Sequence, residues 1–219
     1  MVKKKSTKNW INKHSKDKYV KLSQSEGYRS RAFHKLFEID NKFKIINSCH
    51  NILDLGSAPG SWSEYISKNY DKKNIVAIDI LKMKPINNVD FIRGDINEPC
   101  SREQINKLIT RADLVLSDIA PNITGIEDID QANFVEIFES ILEICSILLK
   151  KKGILVMKFF NGSSYDMVRN KLGGLFNKVN SFKPESSRSK SNEIFFICNG
   201  FKDWYDWNYW LTMSNLEWF

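Results

Sequence analysis

Residues 51–62 read Asn51-Ile52-Leu53-Asp54-Leu55-Gly56-Ser57-Ala58-Pro59-Gly60-Ser61-Trp62. The apolar run Ile52–Leu55 predicts a strand, the small residues Gly56–Gly60 a sharp turn, and the segment from Ser61 a helix. A strand turning directly into a helix is where an open α/β sheet binds its ligand. Small residues let a ligand approach the backbone, and the N–H groups at a helix start are free to meet it. The spacing excludes two relatives of this turn. Ala58 and Pro59 break the G-x-G-x-x-G dinucleotide pattern, and Gly60 has no Lys after it, as a P-loop requires. A nucleoside without a phosphate bridge fits better; an ordinary tight turn is the plainer alternative.

Asp79 lies 23 residues beyond Gly56, at the end of the next apolar run, Ile75-Val76-Ala77-Ile78. A carboxylate there can accept from both hydroxyls of a ribose. Working outward, strands are predicted over 51–55, 74–80, 89–93, 113–117 and 153–159, with late additions over 179–182 and 194–199. Helices are predicted over 61–69, 101–110, 130–150 and 163–172, with a further helical period starting at Ser30, which could cap it. This alternation predicts an α/β fold with a mostly parallel seven-stranded sheet and helices on both faces. Three strand ends carry polar residues: Asp95, Asp118 and Lys158. A Lys directly after Ile154-Leu155-Val156-Met157 is costly to bury unpaired. It either snorkels to solvent or meets a partner such as Asp118 on the neighbouring strand.

The chain has 219 residues and a formal charge of +7. Residues 1–44 hold 13 Lys/Arg against 4 Asp/Glu; the other 175 hold 20 against 22. The excess therefore sits in an N-terminal arm, which suits RNA or another polyanion, or merely solubilises the chain. Arg29, Arg31 and Lys35 lie near one end of the predicted helix, where Arg29 and Arg31 can reach phosphates. Cys49, Cys100, Cys145 and Cys198 are widely spaced and form no C-x-x-C pair, and the three His show no ligand spacing. No metal site or disulfide framework is expected. No apolar run approaches the roughly 18–20 residues of a membrane span, so a soluble protein is predicted. One domain is expected over residues 1–200, the basic arm included. An aromatic extension follows over 201–219, with Trp204, Trp207, Trp210 and Trp218. Its stripe could pack on the domain or stack on bases.

In order, DKYV, GYRSRAFHKL, LDLGSAPGSW, Asp79, VDFIRGD, SDIAPN, VMKFF and PESSRSKSNE resemble the FtsJ (RrmJ) family of RNA ribose 2′-O-methyltransferases. The resemblance spans Trp10 to Asn199. It implies a Rossmann-like fold using S-adenosylmethionine without a metal, with RNA as substrate. It implies a catalytic set of Lys35, Asp118, Lys158 and Glu193. It assigns Gly56, Ser57, Ala58, Pro59, Gly60 and Trp62 to the cofactor loop, Asp79 to the cofactor ribose and Asp95 to the adenine amino group, with Asp118 beside the cofactor. Ser61 departs from the Gly of bacterial ribosomal members. The short arm and DKYV favour the ribosomal branch: methylation of a ribose, a uridine, in large-subunit ribosomal RNA, by a cytoplasmic monomer or one in an organelle. A transfer RNA anticodon-loop methyltransferase is the alternative within the family. A non-catalytic RNA-binding assembly factor is the alternative outside it.

Overall fold

The computed structural model describes residues 17–188 and 191–202. The Lys-rich start of the arm and the Trp-rich stretch from Trp204 lie outside the described residues. Two helices open the described part, α1 (Lys18–Ser25) and α2 (Ala32–Phe43). The remaining elements are β1 (Asn51–Leu55), α3 (Ser61–Asn69), β2 (Asn74–Asp79), β3 (Val89–Arg93), α4 (Pro99–Leu108), β4 (Ala112–Ser117), α5 (Glu127–Leu148), β5 (Leu149–Phe160), α6 (Tyr165–Leu175), β6 (Phe176–Phe182) and β7 (Glu193–Phe201).

The strands form one sheet in the order β3-β2-β1-β4-β5-β7-β6. Strands β1 to β5 pair in parallel, and β7 runs antiparallel to both β5 and β6. The chain order reverses between β1 and β4, the crevice where such sheets bind ligands. Alternation along the strands sends one set of side chains to each face. Ile52, Leu114, Leu116, Val156, Phe195 and Ile197 pack with α2 and α3. Leu53, Leu55, Val115, Leu155, Met157 and Phe196 pack with α4, α5 and α6. Each large side chain fully buried this way contributes roughly 1.5–3 kcal/mol. Both faces are covered, as a parallel sheet requires.

The predicted elements are all present, and their ends differ for local reasons. Helix α5 starts at Glu127, because Glu127, Asp128 and Asp130 in its first turn complement the positive helix end. It stops at Leu148, and the Lys150–Lys152 stretch is already strand. Lys150 reaches across to Asp113 at 2.6 Å, beside a register shift in the β4–β5 pairing. Strand β6 begins at Phe176, opposite Phe201 on β7. Phe201 therefore closes the sheet instead of starting the extension. Ser30 lies one position too early to be the cap of α2, which is Arg31; its hydroxyl still accepts from Ala32 N at 3.2 Å.

Candidate active site

At the carboxyl ends of β1 and β4, four charged side chains from four different elements converge. Lys158, the tenth residue of β5, is only 9% exposed. Its ammonium donates to the Asp118 main-chain oxygen at 2.5 Å and stands 3.0 Å from Asp118 Oδ1. Lys35, from α2, reaches the same oxygen at 3.7 Å and Glu193 at 2.8 Å. Glu193 opens β7, and the antiparallel pairing of β7 with β5 sets it against Phe160, two residues past Lys158. Ser187 Oγ donates to Glu193 Oε1 at 2.8 Å. The buried Lys thus has a partner and does not snorkel. Glu193 is buried too, not a surface carboxylate. Burial works against the charge on Asp118, but the Lys158 and Lys35 ammoniums outweigh it and hold the carboxyl below its ordinary range.

Beside this cluster lies a cleft of about 510 Å³, with Asp118 in its wall. Gly56, Ala58, Asp79 and Asp95 also line it, as do Leu81, Ile119 and Asn122. The turn after β1 is pinned to the end of β2. Gly56 N and Ser57 N both donate to Ile78 O, and Ala58 N donates to Asp79 Oδ2 at 2.8 Å. Leu81 N donates to Asp79 Oδ1 at 2.8 Å, and Asn97 N to Asp95 Oδ1 at 2.9 Å. Both carboxylates are held by backbone donors and keep lone pairs for a ligand. Gly56 has φ +69°, and a Cβ there would lie 2.3 Å from Ile119 Cγ1. Glycine is needed at that position for the close approach of the β4 loop.

The rest of the loop assigned to the cofactor adjoins this cleft. Ser57, Pro59 and Trp62 line a small cavity of about 20 Å³ that shares Gly56, Ala58 and Asp118 with it. Trp62 is a core residue: its indole donates to Ala32 O at 2.8 Å and its ring packs on Phe195. A Cβ on Gly60 would meet Met83 and Ile86 under 3 Å, so this glycine serves loop packing. Ser61 is buried with its hydroxyl 2.7 Å from that of Ser30.

The two arginines also differ from expectation. Arg31 binds the Asp17 carboxylate and the Ser186 carbonyl, and Arg29 binds Pro59, Lys84 and Pro85 carbonyls. Both guanidiniums are thus engaged within the protein. Asp54 had not been singled out. It is 1% exposed, lines the small cavity and accepts from Ser63 Oγ at 2.6 Å, and burial pushes its carboxyl up to about 7. A carboxylate inside the apolar Ile52–Leu55 run was the available signal. Ser187 was hidden in a polar loop where every Ser looks alike.

The FtsJ-like methyltransferase family profile matches residues 28–201. The chain belongs to this family. It is 42% identical over 205 residues to ribosomal RNA large subunit methyltransferase E of Marinobacter nauticus, covering 92% of this chain and 99% of that one. Against the enzyme of the same name from Pelagibacter ubique it is 43% identical over 199 residues, covering 90% and 98%. Among solved structures, a Plasmodium falciparum protein described as a ribosomal RNA methyltransferase superposes with a TM-score of 0.72 at 34% identity, over 80% of this chain and 98% of that one. Human methyltransferase-like protein 13, solved with S-adenosylhomocysteine, shares the fold at a TM-score of 0.54 and 16% identity. This FtsJ-like protein is a methyltransferase with a Rossmann-like fold. Among its described residues no cluster of three or more His, Cys, Asp or Glu is positioned to hold a metal, and no helix is long and apolar enough to cross a membrane.

Proposed function

We propose that the protein transfers a methyl group from S-adenosylmethionine to a ribose 2′-hydroxyl, that of a uridine, in large-subunit ribosomal RNA. The observation that carries this reading is the Lys35–Asp118–Lys158–Glu193 cluster, which shares Asp118 with the cleft. The names of the relatives supply the substrate class.

The cleft fits the methyl donor on its own chemistry. Its volume of about 510 Å³ falls in the range that small-molecule ligands occupy. Asp79 would accept from the ribose hydroxyls and Asp95 from the adenine amino group. Leu81, Ile119 and Ile137 supply apolar wall for the base. The sulfonium supplies an already activated methyl, so no acid is needed for its departure.

The chain's own task is the ribose hydroxyl, a poor nucleophile while protonated. One Lys158 N–H is committed to the Asp118 main-chain oxygen, and the nitrogen is ion-paired with Asp118 Oδ1. That fixes the nitrogen and leaves capacity for the hydroxyl. Lys158, as the amine, would take the hydroxyl proton while the oxygen lone pair forms the new O–C bond; the methyl–sulfur bond of the donor would break with its electron pair going to sulfur, which leaves as the neutral thioether, and Lys158 would end as an ammonium paired with Asp118. Holding the nucleophile in line can supply much of the rate enhancement this step needs. Glu193 holds Lys35, and Lys35 orients Asp118.

The test is labelled methyl transfer to naked ribosomal RNA, intact large subunits and transfer RNA, with mapping of the modified ribose. Label at a ribose 2′-oxygen of large-subunit RNA supports the reading. Label confined to transfer RNA, or absent from all three in the presence of donor, overturns it. The compartment follows the substrate: the cytoplasm, where bacterial large subunits mature.

A further inference from the structure

We propose that Arg29 is a positioning residue for the methyl-donor cleft: its guanidinium clamps the turn after β1 to the segment after β2, and it does not bind RNA phosphate. The proposal rests on the reading of the cleft as the donor's site. Arg29 lies between α1 and α2, far in sequence from both loops, yet it ties them together. Nη1 donates to Pro59 O at 3.2 Å and to Lys84 O at 2.6 Å; Nη2 donates to Pro85 O at 2.7 Å. The remaining side of the fork faces Glu64 of α3, 3.7 Å from Nε, and the same carboxylate accepts from Arg29 N at 3.2 Å.

What Arg29 holds are the two stretches that frame the cleft. Pro59 directly follows Ala58, which lines the cleft and donates to Asp79. Lys84 and Pro85 follow Asp79, Ile80 and Leu81, all in the cleft wall. The two stretches are already in contact, since Gly60 leaves room for Met83 and Ile86, and Arg29 Nη1 lies 3.4 Å from where a Cβ on Gly60 would sit. Among the described residues, no other charged side chain ties residues 83–86 to the turn. A planar fork spanning separate carbonyls is a task an arginine performs and a lysine does not. Both Nη1 donors and one Nη2 donor are committed to carbonyls inside the protein, and Nε faces Glu64, so the guanidinium is held as a clamp.

Arg29→Ala and Arg29→Lys are to be compared with wild type by calorimetric titration of S-adenosylhomocysteine, by steady-state methylation of large-subunit RNA, and by RNA affinity across a salt series. Misplacing the cleft wall raises the donor's Kd and KM by about 10- to 100-fold in Arg29→Ala. kcat and the melting temperature stay near wild type, and Arg29→Lys recovers less than half of the loss on a logarithmic scale. The slope of log affinity against log salt stays unchanged. Donor affinity within twofold of wild type, or a salt slope reduced by about one, overturns the proposal. If Arg29→Ala does not fold, Arg29→Lys decides on the same readouts. Wild type that fails to bind S-adenosylhomocysteine refutes the reading of the cleft instead, so the two failures are distinct.

Discussion

Lys158 Nζ lies 3.0 Å from Asp118 Oδ1 and 2.5 Å from the main-chain oxygen of the same residue. One residue therefore fixes the nitrogen from two directions. Asp118 also lines the donor cleft, so the nitrogen is anchored to the cleft's own wall.

This anchoring predicts separate effects on chemistry and on binding. Lys158→Ala is expected to lower kcat by about 10³-fold, within the range for loss of a positioned general base. S-adenosylhomocysteine should bind within a few-fold of wild type, because Lys158 is not in the cleft wall. Lys158→Arg keeps a cation but cannot accept a proton, and is expected to be as inactive as the Ala variant. Turnover by Lys158→Arg near wild type would show that the positive charge alone suffices.

Ser187 makes a second case. It hydrogen-bonds Glu193, whose other oxygen meets Lys35 at 2.8 Å. The loop carrying it is docked on α2, with Glu185 N and Ser186 N donating to Glu38. Ser187→Ala removes one hydrogen bond to a buried carboxylate, worth roughly 1.5–3 kcal/mol. About a tenfold fall in kcat with unchanged donor KM is expected. The loop keeps its other bonds, so the protein should still fold, with the melting temperature lowered by about 2–4 °C per kcal/mol lost. A fall in donor affinity equal to the fall in kcat would place Ser187 in the cleft's support instead.

Much of this was legible in the sequence where the signal is local. The bounds of β1, α3 and β3 follow from alternation, small-residue turns and apolar period, which neighbours in the chain determine. Asp118 and Lys158 were legible because charged residues at adjacent strand ends need each other. What stayed hidden is the side-chain packing: the partners of Trp62, Arg29 and Arg31 lie on remote elements, at Ala32, Lys84 and Ser186. Which way a side chain turns within a tight loop is decided by that tertiary packing, and no local pattern encodes it. Asp54 fell between the two, since a carboxylate in an apolar strand looks anomalous until Ser63 and the small cavity supply its surroundings.

The two strand-end carboxyls predict opposite pH effects on stability. Burial raises the Asp54 carboxyl to about 7, above its unfolded value. The folded state thus holds this proton more tightly. Its stabilising effect is complete below about pH 4 and is lost as pH rises toward and through about 7. Asp118 is held low by Lys158 and Lys35 against the cost of burial. Its contribution is present above the unfolded carboxylate range and is lost as pH falls below it. Between pH 5 and 8 the Asp54 effect dominates the difference between wild type and Asp54→Asn. Urea unfolding should show wild-type stability declining relative to the variant by an amount on the order of a few kcal/mol. Parallel pH profiles for the two proteins would remove Asp54 as the titrating group.

The last prediction concerns the basic arm. With Arg29 and Arg31 engaged inside the protein, phosphate neutralisation falls to exposed lysines. Within the described residues of the arm, Lys18 and Lys21 on α1 are exposed. They stand three residues apart, one helical turn, so both present to the same side. A lysine that neutralises one phosphate contributes about 0.7 to the salt slope on single-stranded RNA and about 0.9 on a duplex like B-DNA. Replacing Lys18 and Lys21 with Ala should lower the slope for large-subunit RNA by about 1.4–1.8. Stability should move by no more than about 0.5 kcal/mol, as for other exposed substitutions. Donor affinity should not change, since neither lysine is in the cleft wall. An unaltered slope would mean that RNA crosses the protein on a face that excludes α1.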